Sequence, residues 1–81
     1  MNHFDTLVGQ QLETMDQLLF LQSEIERCQE IEQELEKLQE KTKLNFLREE
    51  ILSMKLQLKE IQQTFETQTA EIIRTYQATV S

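Results

Sequence analysis

The sequence predicts an all-α chain: a long amphipathic helix that pairs in a coiled coil. Three observations predict it. From Leu44 to Ile72, apolar residues recur alternately three and four apart, at Leu44, Leu47, Ile51, Met54, Leu58, Ile61, Phe65 and Ile72, with Gln68 the one polar member. That 3.5-residue repeat is the seam of a left-handed coiled coil, because it keeps one narrow stripe facing a partner helix. Turn formers are almost absent, with one Gly and no Pro among 81 residues, so a β fold lacks the residues its turns need. The apolar residues are periodic rather than sparse, unlike those of a disordered segment.

A lone helix cannot bury its own stripe. Ordering each residue costs about 1–2 kcal/mol of backbone entropy, and most helix stability in proteins comes from packing. A second helix is required, from another copy or from this chain folded back.

At the beginning of the chain, Asn2 or Asp5 can cap a first turn by accepting from its free N–H groups. Gly9 costs about 1 kcal/mol relative to Ala inside a helix, so the first two turns are expected to fray. From Phe4 to Leu21 the apolar positions form a stripe wider than a seam, which belongs to a helix with more than one packing neighbour. Leu18, Leu21, Ile25 and Cys28 continue at heptad spacing, and Ile31, Leu35 and Leu38 carry it on in a shifted frame. The step from Ile25 to Cys28 to Ile31 reads as a stammer that overwinds the coil. Cys28 reads as a small core hydrophobe.

The frame breaks again over residues 39–43, between an N-terminal half (4–38) and a C-terminal half of regular heptads (44–78). One continuous helix is the first reading, since no Gly, Asn or Pro marks a turn there. The alternative is a helical hairpin turning near residues 39–45. Beyond Phe65 the Thr residues lower helix propensity. Ile72, Tyr76 and Val80 keep a stripe, and residues 78–81 are expected to fray.

Charge favours antiparallel pairing. Residues 24–40 hold seven Glu against Arg27 and Lys37, whereas 41–59 hold five Lys or Arg against Glu49 and Glu50. An antiparallel pair centred near Lys41 lays the acidic half on the basic half. It sets Glu32 between Arg48 and Lys55, and Cys28 opposite Met54. Each exposed pair contributes only about 0.2–1 kcal/mol, so charge tilts the choice without deciding it.

The formal net charge of −7 repels nucleic acid and anionic lipid. The longest apolar run, Leu18 to Leu21, is far short of the roughly 20 residues of a membrane span. His3 has no second His and one distant Cys, so no metal site is expected. No phosphate-binding or dinucleotide loop and no catalytic constellation is present, so no catalytic residue, cofactor or small-molecule ligand is assigned. A single Cys and the lack of a signal-peptide pattern point to an intracellular chain; they do not separate cytoplasm from nucleus, and the cytoplasm is ranked first.

These features imply a non-enzymatic protein–protein interaction module. Its self-association seam is Leu18, Leu21, Ile25, Cys28, Ile31, Leu35, Leu38, Leu44, Leu47, Ile51, Met54, Leu58, Ile61, Phe65 and Ile72. Partners are a second copy (as homodimer or tetramer), another helical protein, or both. Apolar residues off the seam, Leu12, Leu19, Phe20, Phe46, Leu52 and Leu56, are the candidate partner-binding positions. A purely structural oligomerisation or spacer element is the alternative. A subunit that binds a small GTPase, trafficking or cytoskeletal partner ranks below it.

Overall fold

A computed structural model describes the backbone of residues 3–80 and the side chains of 3–79. Two α-helices account for nearly all of it: α1, His3–Lys37, and α2, Lys41–Val80. They lie side by side as an antiparallel hairpin, a rod with extents of 62 × 16 × 13 Å. The chain therefore folds back instead of continuing as one helix, and the turn, Leu38 to Glu40, falls at the early edge of the 39–45 window.

The turn is made without glycine. Gln39 adopts φ 56°, the left-handed region that L side chains rarely enter. Around it the Gln39 N–H donates to the Glu36 carbonyl and the Glu40 N–H to the Leu35 carbonyl, both at 3.1 Å. These two bonds make a Schellman motif, which satisfies carbonyls that the end of α1 would otherwise leave unpaired. The Leu44 N–H then donates to the Glu40 carbonyl at 2.9 Å and begins α2.

Between the arms runs one seam per helix. On α1 it passes through Phe4, Leu7, Gln11, Thr14, Leu18, Leu21, Ile25, Cys28, Glu32 and Leu35, and on α2 through Leu44, Leu47, Ile51, Met54, Leu58, Ile61, Phe65, Gln68, Ile72 and Thr75. All are buried or half-buried. Spacing alternates three and four throughout, so α1 contains no stammer. The deepest apolar side chains are Leu18, Leu21, Ile25, Leu44 and Ile51.

Two seam expectations are corrected. Ile31 and Leu38 are exposed, at 42% and 69%, because the heptad frame carries the seam through Glu32 and ends it at Leu35. Glu32 is tolerated there because its carboxylate accepts from Arg48 Nε at 3.1 Å and its side chain keeps some water contact. The mirror point is also shifted. With the turn at Leu38 to Glu40 and a facing d between antiparallel helices, the heptad frames set Leu35 level with Leu44, Glu32 with Leu47 and Cys28 with Ile51, an axis between Gln39 and Glu40 rather than at Lys41. Cys28 accordingly sits level with Ile51, not Met54.

Gly9 does not interrupt α1, which begins at His3. Asn2 lies outside the described residues, while Asp5 sits in the first turn, where a carboxylate favours the helix dipole. The threonines do not end α2 either, since Thr64, Thr67, Thr69 and Thr79 each donate the hydroxyl to the carbonyl four residues back. The expected fraying over 78–81 is not seen as far as Val80. The Val80 side chain and Ser81 lie outside the described residues.

Candidate interaction surfaces

With Leu18 and Leu44 as heptad a positions, and Leu21 and Leu47 as d, the e and b residues of both helices fall on one flank of the hairpin, since e faces e in an antiparallel pair. Three contacts fix that flank. Arg48, an e residue, donates to Glu36, an e residue of α1, as well as to Glu32. Gln11 on the seam donates through Nε2 to the hydroxyl of Thr69, another e residue, and to the Phe65 carbonyl at 3.1 Å. Phe4 meets Tyr76, also e, with ring centroids 6.0 Å apart.

The flank changes character along the rod. Near the turn it is charged, with Arg48, Glu36 and Lys55, and Lys59 lies midway along the rod. At the open end, where the helix termini meet, α1 contributes Val8 and Met15 at e and Leu12 and Leu19 at b. The α2 contribution there is Thr69 and Tyr76 at e and Glu66 and Ile73 at b, and Asp5 sits at b in the first turn of α1. Leu12, Met15, Leu19, Ile73 and Tyr76 are all exposed.

The six candidate partner-binding residues are all exposed, but they do not share a face. Leu12 and Leu19 belong to the open-end patch. Phe20, at c, points to the opposite flank. Phe46, Leu52 and Leu56 occupy c, b and f on the turn-proximal half of α2 and spread around that helix. Val8, Met15, Ile73 and Tyr76, which complete the patch, are absent from the sequence-derived set. The 4–3–4 spacing of Val8, Leu12, Met15 and Leu19 was the signal for them.

Beneath the patch the seam carries polar residues, Gln11, Thr14 and Gln68, between apolar layers at Leu7 with Ile72 and Leu18 with Ile61. Thr14 is buried and donates to the Gln10 carbonyl at 3.1 Å. Gln11 and Gln68 form one layer, and the buried Gln68 Oε1 has no hydrogen-bond partner. An unpaired buried acceptor costs about 1–3 kcal/mol, so the open end is held less firmly than the layers around Ile25 and Ile51.

Ion pairs elsewhere are local. Arg27 donates to Glu24 at 2.7 Å, and this hydrogen bond, with the attraction of the carboxylate, raises the guanidinium pKa above its ordinary value. Arg74 with Glu71 and Lys37 with Glu34 are further pairs three residues apart. Among the described residues there is no pocket and no group of three or more His, Cys, Asp or Glu able to hold a metal ion. No helix among them is long and apolar enough to cross a membrane.

Residues 3–79 match a family model described as YgaB-like protein. A relative from Bacillus subtilis (strain 168), described as "Uncharacterized protein YgaB", is 42% identical over 78 residues, which cover 96% of this chain and 68% of that protein. No solved structure matches the chain with significance.

Proposed function

The chain belongs to the YgaB-like protein family, and we propose that it works as a non-enzymatic protein–protein interaction module, a helical hairpin whose outer faces bind other helices. One observation carries this reading. The hairpin fills its seam with its own two arms, yet large apolar side chains remain exposed on the outside, Leu12, Phe20, Phe46, Leu52 and Leu56 all above 60%. Soluble monomers rarely present apolar surface at helical spacing without a use for it. A self-satisfied hairpin offers such faces as a scaffold or adaptor does, as amphipathic surfaces for partner helices.

Affinity capture tests this. The tagged chain, a Leu12→Gln, Leu19→Gln variant and a Phe46→Gln, Leu52→Gln, Leu56→Gln variant serve as parallel baits, with retained proteins identified by mass spectrometry. All five changes are to exposed positions, so each bait keeps its seam. The reading expects at least one protein held by the wild-type chain and lost with one outer-face variant. Identical recovery by all three baits would contradict it and leave a spacer rod as the better description.

A further inference from the structure

We propose that the open-end patch is a self-association site, where a second copy of this chain docks patch to patch and completes a short four-helix bundle. The proposal rests on the interaction-module reading and gives one face its partner.

The first argument is continuity with the seam. Over its first turns α1 carries two adjacent stripes, the inner one facing α2 and the outer one formed by Val8, Leu12, Met15 and Leu19. A helix with apolar residues over so wide an arc has more than one packing neighbour, and α2 supplies only the first. Ile73 and Tyr76 extend the outer surface across α2, so the patch belongs to the hairpin and not to one helix. At the same level the inner seam is weak, with Thr14 buried and Gln68 Oε1 unpaired. Apolar material that would make this end a firm core lies on its outside instead. Two hairpins packed through it convert two thin ends into one bundle, the arrangement in which four amphipathic helices bury a shared interior.

Area and charge point to the same occupant. Leu12, Met15, Leu19, Ile73 and Tyr76 are 63%, 37%, 55%, 52% and 55% exposed. At on the order of 100 Å² each they present about 500 Å² of apolar surface. Two copies together remove roughly 1,000 Å², the lower bound for a specific interface before the polar rim is counted. None of the six patch residues is an Asp, Glu, Lys, Arg or His, although the chain carries a formal charge of −7, and the carboxylates sharing the e and b positions of this end are Asp5 and Glu66. The patch is thus where two acidic copies meet with least repulsion. The charged, turn-proximal halves are left to diverge.

Sedimentation equilibrium of the purified chain decides the matter, over roughly 1 μM to 1 mM. The wild-type chain is expected to pass from 9.7 kDa to twice that mass. Leu12→Gln with Leu19→Gln should weaken the dimer at least about tenfold. Leu52→Gln with Leu56→Gln should leave it unchanged. Far-ultraviolet circular dichroism confirms that all three keep the same helicity, and Met15→Gln provides a milder second probe of the patch. A wild-type chain that stays monomeric overturns the proposal, as does a dimer indifferent to the Leu12, Leu19 and Met15 changes. Either result leaves the interaction-module reading to the capture experiment, which depends on other proteins and not on self-association.

Discussion

Replacing Gln39 by Gly acts on the one residue that the hairpin holds in the left-handed region, at φ 56°. A residue with a Cβ gives up about 1–2 kcal/mol there, and glycine does not. Against this, glycine loses about 0.5–1 kcal/mol more backbone entropy on folding. Neither the Schellman bonds nor the seam involves the Gln39 side chain in any hydrogen bond recorded among the described residues. The net effect is a gain of about 0.5–1 kcal/mol, which for a chain of this size raises Tm by roughly 2–8 °C. The assay is thermal unfolding followed by circular dichroism at matched concentrations of wild type and Gln39→Gly. In one continuous helix the same change places glycine in a helix interior and costs about 1 kcal/mol. The sign of the shift therefore separates the two architectures, and a lowered Tm would refute the turn geometry.

Three further outcomes follow from the packing. Ile25→Ala and Ile51→Ala each empty a position only 6% exposed, and each should cost about 2–3 kcal/mol, seen as a lower urea midpoint with loss of helicity in both arms. Gly9→Ala adds a methyl that meets nothing within 4 Å and should raise stability by about 0.5–1 kcal/mol, measured as a higher Tm. Gln68→Leu removes the unpaired buried oxygen and should stabilise the open end by about 1 kcal/mol or more, read as slower amide exchange over residues 65–75.

The C-terminal heptads are legible because eight of the nine seam positions from Leu44 to Ile72 are apolar and keep one unbroken spacing. Every expected position from Leu44 to Ile72 lies on the inner face of α2. In α1 apolarity and seam separate. Gln11, Thr14 and Glu32 occupy seam positions although polar, while Ile31, Leu12 and Leu19 are apolar and lie off it, as does Leu38 in the turn. Following apolarity alone therefore produced a stammer at Cys28 and a misplaced mirror point. Polar residues survive on the seam because a two-helix rod leaves its edges near water, and because Gln11 and Glu32 find partners on α2.

The turn was obscured for a different reason. Schellman turns most often use glycine at the left-handed position, and this one uses glutamine. Yet the phase of the two seams contains the hairpin. From Leu35 to Leu44 is nine residues, about 900° at 100° per residue, or half a turn beyond two full turns. A straight helix would aim its two seams in opposite directions, and a single straight partner could not cover both. Folding back at Gln39 lets each seam cover the other. The open-end patch was visible only in part, because its α2 members, Ile73 and Tyr76, join Leu12 and Leu19 only once the arms are aligned.

The most direct test of the intramolecular hairpin is the distance between the two helix ends. Cysteines placed at His3 and Thr79, both exposed, in a Cys28→Ser chain can carry a fluorescence donor and acceptor. A trace of labelled protein in excess unlabelled chain restricts energy transfer to pairs within one molecule. The hairpin expects the labels about 10–20 Å apart, the spacing of packed helices plus the reach of the dyes. A separation of about 110 Å, the length of one unbroken helix over that span, would contradict it.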